Sequence, residues 1–288
     1  MDFHVIDTES TYRRLLDAPD ATVREAIYRQ ELIEPFIGLV QYFGGDGLAV
    51  FAQWGVNPEQ FAKNNRQHMK ATIDALAVAD AWHRAVQALE KGSLAFAPFA
   101  DRIPLEKITF GLLIADLSGS PQAGGYTGFG GIPGWIMTVY GAPNEQNLQR
   151  VESATVHELH HNVMGSSNPK ALDMMHATVG DYMVAEGLAE SFSAELYGTD
   201  KIGPWVTEFD DSRLEQTRTI FHKGLSVTGF DEMRGYIFGD PAAGLPAFAG
   251  YAIGYRVVQA YLMRTGNSVV ETTFVPAQTI INDSGFFD

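Results

Sequence analysis

The stretch Val156-His157-Glu158-Leu159-His160-His161-Asn162 contains the pattern His-Glu-x-x-His, and the rest of the chain is interpreted around it. On a helix, His157 and His161 lie one turn apart on the same face, so both imidazoles can reach a single ion. Glu158 lies about 100° further round, where its carboxylate can lean over the open side of that ion. The pattern is typical of zinc hydrolases, and its surroundings decide whether that interpretation holds.

The segments around the motif predict a mixed fold. Residues 9–102 have the apolar spacing of helices, including one long helix over residues 69–90. Residues 107–117 and 134–140 are short β-branched and aromatic runs bounded by Gly and Pro, which predicts strands. The motif helix follows, and a further helix is predicted over residues 171–197, interrupted near Gly180.

This order predicts an α+β fold that is mostly helical, with a small mixed sheet next to the motif helix and an N-terminal helical lobe. The length suits one domain over residues 1–288. Residues 1–104 and 105–288 are possible sub-lobes.

Composition narrows the classes of protein. The chain has 288 residues, 45% of them hydrophobic, and a net charge of −15 from 35 acidic and 20 basic residues. This charge argues against nucleic acid and anionic membrane surfaces as partners, because both reward clustered Lys and Arg. Cysteine is absent, which leaves His and carboxylates as metal ligands. The sequence shows no secretory signal or membrane-spanning segment, so we expect a cytoplasmic protein.

A third metal ligand has to come from downstream of the motif, because a catalytic zinc ion commonly takes three protein ligands and one water. A metzincin would place Gly and His where this chain has Met164 and Ser167, which excludes that class. The following helix offers Glu186 and Glu190 on one face. One of them can bind zinc while the other accepts a hydrogen bond from a ligand histidine.

Other polar residues near the motif have weaker claims. His176 and Asp181 remain alternative third ligands. His160 lies on the motif helix, but its position relative to Glu158 does not fit the template. We expect His160 to pack, or to form a hydrogen bond behind the ligands.

Three blocks of sequence together resemble the YjaZ-like family of predicted zinc-dependent proteases, of the gluzincin type. They are His-Glu-Leu-His-His from residue 157, Glu-Gly-Leu-Ala-Glu from residue 186 and Gly-Tyr-Ala-Ile-Gly-Tyr from residue 250. The resemblance covers the chain from about Ile108 to the C-terminus. It implies a zincin-like metallopeptidase fold in which His157, His161 and Glu186 bind Zn²⁺ and Glu158 is the catalytic glutamate.

The leading hypothesis is hydrolysis of a peptide bond by a zinc-activated water, with Glu158 as general base. Tyr251 and Tyr255 are candidates to stabilise the oxyanion, and Tyr251 is favoured. By analogy with zincins, an edge strand of the sheet would bind the extended peptide or protein substrate. That strand would consist of Tyr126, Thr127, Gly128 and Phe129.

Two alternatives remain open at this point. One is a zincin-fold binding or chaperone-like protein with a non-catalytic metal, and the other is a zinc hydrolase of a small amide or ester. The retained Glu158 favours catalysis, because a structural site needs no general base.

Overall fold

The computed structural model describes residues 1–118, 124–173 and 175–288. Its four strands are β1 (Asp2–Val5), β2 (Lys107–Ile114), β3 (Tyr126–Phe129) and β4 (Trp135–Tyr140). The helices before β2 are α1 (Thr8–Asp17), α2 (Ala21–Tyr28), α3 (Ile37–Phe43), α4 (Gly47–Ala52), α5 (Arg66–Val78) and α6 (Ala81–Ala95).

The helices after the sheet are α7 (Glu145–Leu148), α8 (Val151–Ser167), α9 (Val179–Tyr197), α10 (Pro204–Thr207), α11 (Leu214–Gly224), α12 (Phe230–Phe238), α13 (Ala249–Thr265), α14 (Val269–Thr272) and α15 (Ala277–Ser284). The chain is therefore mostly helical with one small sheet. The predicted α+β fold class is confirmed.

The sheet has the strand order β1-β2-β4-β3. β2 pairs in parallel with β1 and with β4, whereas β3 runs antiparallel to β4. Every residue of β2 except Lys107 is buried. A continuous apolar run of this kind is expected where both faces of a strand are covered. Within the described residues, β3 is the last strand on its side of the sheet.

The chain divides into two compact units, and the division passes through the continuous helices α6 and α8. The first unit comprises Met1–Lys91 and Leu105–Glu158, and it contains the whole sheet. The second comprises Gly92–Pro104 and Leu159–Asp288. The organisation as one domain with sub-lobes 1–104 and 105–288 stays a prediction.

Two predictions about individual elements were wrong. Residues 69–90 do not form one helix, because Asp80 adopts a left-handed conformation (φ 53°) that separates α5 from α6. The described residues 171–173 and 175–178 are not helical, since Thr178 and Asp181 form a capping box that starts α9 at Val179. Helical spacing of apolar residues continues across both boundaries, so periodicity alone does not locate them.

The second unit is built around the packing of α9 on α13. A Cβ atom at Gly187 would lie 2.2 Å from the carbonyl carbon of Gly254, and one at Gly254 would lie 2.0 Å from the carbonyl oxygen of Met183. Real side chains do not approach backbone this closely, so the two helices touch through backbone atoms. Because Gly187 directly follows Glu186, this contact also fixes the backbone of a candidate ligand.

Gly254→Ala is expected to lower the free energy of unfolding by about 3 kcal/mol, because backbone atoms cannot move aside as a flexible side chain can. Urea unfolding of the purified variant measures this change. Gly235→Ala in α12 is the matched control, since its Cβ would meet no atom closer than 3.4 Å. We expect the control to be neutral or slightly stabilising, because alanine favours helix over glycine. Equal loss of stability in both variants would contradict the close packing.

Among the described residues, no helix combines the length and the apolar character needed to cross a membrane.

Candidate metal centre

The N-terminal end of α8 is fixed to α6 by one arginine. Arg84 donates to both carboxylate oxygens of Glu152, at 2.7 and 2.6 Å, and to the carbonyl oxygen of Leu148 at 2.9 Å. The paired hydrogen bonds of a guanidinium and a carboxylate restrict orientation as well as distance. The first turn of the motif helix is thereby held in place relative to α6.

His157, His161 and Glu186 form a cluster of three side chains whose ligand atoms all lie within 4.8 Å of one another. His157 and His161 are one turn apart on α8, while Glu186 comes from α9. All three are largely shielded from solvent, with exposed fractions of 9%, 5% and 2%. The structure therefore brings together the residues that the sequence pairs as ligands, in a group that can bind a metal ion.

The donor set fits zinc. Two imidazoles and one carboxylate, with no thiolate, are typical ligands of a catalytic zinc ion that keeps one position for water. His161 Nε2 lies 3.2 Å from Glu186 Oε2. Zinc-to-ligand distances of about 2.0–2.2 Å put two ligand atoms of a tetrahedral site roughly 3.3–3.5 Å apart. The separation of these two atoms is therefore close to what such an ion needs.

Glu158 lies against the glycines of the edge strand. A Cβ atom at Gly128 would be 2.2 Å from Glu158 Oε1, and one at Gly130 would be 2.1 Å from the carbonyl oxygen of Glu158. Glycine at these two positions therefore lets β3 and the following turn approach α8 closely. Tyr126, Thr127, Gly128 and Phe129, placed in an edge strand by sequence, form β3 next to this part of the motif helix.

Glu190 has partners that the sequence did not indicate. Its carboxylate accepts a hydrogen bond from the backbone N–H of Gly203 at 3.1 Å and one from Trp205 Nε1 at 2.7 Å. The side chain is 2% exposed, and a buried carboxylate needs such donors. Glu190 thus holds the segment that leads into α10, and no spacing pattern in the sequence pointed to Gly203 or Trp205.

His160, on the motif helix, is fully buried. Its Nε2 lies 3.0 Å from Thr273 Oγ1, and its ring packs near Phe96 and Phe192, with centroids 6.1 and 5.7 Å away. Because His161 is the next residue, the packing of His160 also holds in place the part of α8 that carries this candidate metal ligand. Thr273 is distant in sequence and belongs to no motif, which is why sequence analysis missed it.

Tyr251 and Tyr255 occupy different surroundings on α13. The ring of Tyr251 lies in a group of aromatic side chains with Trp205, Phe238 and Phe248, at centroid distances of 5.3 to 6.4 Å. Partial burial and then the charge of Glu190 raise the pKa of Tyr255. A phenol is protonated at neutral pH even without this shift, so the Tyr255 hydroxyl can donate a hydrogen bond.

The alternative ligands are engaged elsewhere. His176 has a side chain that is 76% exposed, and its Nδ1 lies 2.6 Å from a carboxylate oxygen of Asp173. Asp181 accepts hydrogen bonds from the backbone and side chain of Thr178 in the cap of α9. Neither side chain belongs to the cluster around His161.

Known proteins share much of this chain. A family model described as predicted Zn-dependent protease (DUF2268) matches residues 81–282. The uncharacterized protein YjfC of Bacillus subtilis is 45% identical over 196 residues, which cover 65% of this chain and 64% of YjfC. The uncharacterized protein YjaZ of the same organism is 26% identical over 136 residues, which cover 46% of this chain and 50% of YjaZ. No solved structure matches.

The aligned part of this chain thus spans about two thirds of YjfC and half of YjaZ. The family match covers more than half of the chain and includes the motif helix, Glu186 and α13. It also begins earlier than the resemblance detected by sequence blocks, which started near Ile108. The chain belongs to the family of predicted Zn-dependent proteases (DUF2268).

Proposed function

We propose that this protein is a zinc metallopeptidase of the gluzincin type, which hydrolyses peptide bonds. The observation that carries the proposal is the cluster of His157, His161 and Glu186, with Glu158 on the same helix and beside the edge strand. When bound, zinc supplies a Lewis acid that polarises a carbonyl and lowers the pKa of water towards neutrality. His157, His161 and Glu186 would hold the ion.

Glu158 is proposed as the general base. It follows His157 directly, so the helix turns its carboxylate away from the ligand face, and it is 8% exposed. A carboxylate so placed accepts a proton from the attacking water and passes it to the leaving amine. Its neighbour Gly128 leaves room for this carboxylate and keeps it close to the edge of the sheet.

β3 is proposed as the binding edge for substrate. It is the last described strand on its side of the sheet, and Gly128 within it touches Glu158. An extended peptide can add to such an edge through backbone hydrogen bonds, which bind any sequence and fix the direction of the chain. This position would present a peptide carbonyl near the general base.

Tyr255 is proposed, in preference to Tyr251, as the donor that stabilises the oxyanion. A phenol hydroxyl donates a hydrogen bond without adding charge. Tyr255 also directly follows Gly254, which packs on Gly187 next to the proposed ligand Glu186. Tyr251 has its ring within the aromatic group of Trp205, which suits packing.

Removal and return of the metal test the proposal. The purified protein is stripped with a chelator, dialysed and reloaded with zinc, and cleavage of a peptide library is followed by mass spectrometry. We expect stoichiometric zinc in the reloaded protein, loss of cleavage on stripping and its recovery on reloading. Stoichiometric zinc without cleavage would favour a binding protein, and cleavage confined to small esters or amides would favour a different hydrolase.

Gly128→Ala is expected to reduce peptide hydrolysis by about tenfold or more without loss of zinc. The new methyl group would lie 2.2 Å from Glu158 Oε1, so this flexible carboxylate would have to move. A small displacement of a catalytic group is costly to the rate. Gly131→Ala is the matched control, because its nearest atom would be 3.9 Å away. Steady-state kinetics and zinc content of both variants give the answer, and equal activity would contradict the proposed position of the base.

A further inference from the structure

The two faces of β3 differ in what they contact. A Cβ atom at Gly128 or Gly130 would point at Glu158, so these residues face α8. Successive residues of a strand point to opposite faces of the sheet, so Phe129 faces away from α8. The first unit therefore presents a second surface along the same strand.

Phe129 meets a group of rings on that second surface, which we call the aromatic cluster: Tyr42, Phe43, Trp54 and Phe129. The centroid of the Phe129 ring is 5.1 Å from Trp54 and 5.9 Å from Phe43. Phe43 is 5.5 Å from Trp54 and 5.4 Å from Tyr42. These spacings are those of rings in contact, so the cluster is continuous from β3 to α3.

The aromatic cluster is held in a fixed position by two glycines. Gly38 brings α3 onto the sheet, since a Cβ atom there would lie 2.3 Å from the Trp135 ring in β4. Gly55, next to Trp54, has its backbone against Asp116, whose N–H donates to the Gly55 carbonyl oxygen at 2.9 Å. The backbone of α3 and the backbone next to Trp54 are therefore packed closely against the rest of the first unit.

The outer part of the cluster is open to solvent. Tyr42 is 65% exposed and Phe43 is 40% exposed, whereas Phe51, whose ring centroid lies 6.4 Å from Trp54, is fully buried. Exposed aromatic side chains that adjoin one another mark a binding surface more often than isolated ones do. Here that surface is continuous with the proposed substrate edge.

We propose that the aromatic cluster is a side-chain subsite, which selects peptides with a large apolar or aromatic residue next to the cleaved bond. The inference rests on the proposed peptidase function. The side chains of a peptide that pairs with β3 point alternately to the two faces of the sheet. If one peptide residue faces Glu158, the residue on either side of it therefore points at the aromatic cluster. Directly opposed residues of paired strands have Cβ atoms about 5 Å apart, which lets such a side chain reach Phe129.

The subsite also gives the N-terminal part of the chain a function. Tyr42, Phe43 and Trp54 precede the residues 81–282 that the family model matches, whereas Phe129 and Glu158 lie within them. The catalytic groups thus come from the shared region, and most of the subsite comes from outside it. The selectivity for the substrate side chain would then depend on residues of this chain that lie outside the region matched by the family model.

Cleavage of the peptide library first locates the bond that the protein hydrolyses. Two peptides are then compared that differ only at the residue expected to point at the aromatic cluster, which is Phe in one and Ala in the other. We measure kcat/KM for both peptides with the zinc-loaded parent and with Phe43→Ala. The expected parent preference for Phe is roughly tenfold or more, since a pocket discriminates modestly between apolar side chains. Phe43→Ala is expected to lose most of this preference while it keeps the zinc content of the parent, so its kcat/KM falls much more for the Phe peptide than for the Ala peptide.

Phe230→Ala is the matched control, because Phe230 is 44% exposed and lies on α12. It should keep the parent preference. The inference is overturned if the parent cleaves peptides without favouring large apolar residues, or if Phe43→Ala retains the preference. No cleavage at all by the zinc-loaded parent would overturn the peptidase proposal itself, and the subsite with it, so the two failures are distinguishable.

Discussion

Glu158→Gln is expected to leave zinc bound and to lower peptide hydrolysis by about three orders of magnitude. The amide of glutamine cannot take a proton from water, and general acid–base catalysis commonly contributes 10²- to 10⁴-fold. Zinc should remain, because the ligand atoms belong to His157, His161 and Glu186. Glutamine also matches glutamate in size, so the contact with Gly128 is preserved.

The measurement pairs kcat/KM for a cleaved peptide with zinc analysis of the same preparation. Glu145→Gln is the matched control, since the substitution is chemically the same but affects an exposed residue in the short helix α7. The control should behave as the parent does. If Glu158→Gln were fully active with zinc bound, the general base would have to be another residue.

The motif helix and the sheet were predictable because their signals are local. Two histidines at a spacing of four residues share a helix face whatever the rest of the chain does. The apolar runs around Ile108 and Trp135 likewise identify strands that are buried on both faces. Local signals therefore placed the helix that carries His157 and the two strands β2 and β4, whereas β3, which carries Gly128, was placed only by analogy with zincins.

Other features depend on contacts that no local pattern encodes. β1 is only four residues long and largely exposed, so the pairing of Phe3 with Ile108 gives no apolar signal in the sequence. The left-handed turn at Asp80 interrupts an otherwise continuous helical pattern. The apolar pattern of the sequence therefore reveals neither feature.

The carboxylates of α9 show how far sequence reasoning reached in the site. Their spacing predicted that Glu186 and Glu190 share a face, because residues four apart lie one turn apart. It could not say what each carboxylate meets. The structure puts Glu186 within reach of His161 and gives Glu190 the N–H groups of Gly203 and Trp205.

Replacing these two glutamates singly by glutamine separates their roles. Glu186→Gln is expected to weaken zinc binding by more than about a hundredfold. Mutating a residue that only hydrogen-bonds to a metal ligand typically lowers metal affinity by about 10- to 100-fold, and loss of a ligand costs more. Glu190→Gln should retain zinc within about tenfold. It should instead lower the free energy of unfolding by about 2 kcal/mol, because charge-assisted hydrogen bonds to Gly203 and Trp205 are weakened.

Each variant is the matched control for the other, since both side chains are 2% exposed and lie one turn apart on α9. Zinc affinity from competition with a chelator, and stability from urea unfolding without metal, report on the two roles independently. The reverse result, with zinc lost from Glu190→Gln and kept by Glu186→Gln, would exchange the assignments. Because Trp205 packs on Tyr251, a loosened Glu190 contact should also change tryptophan fluorescence, whereas Glu186→Gln should not.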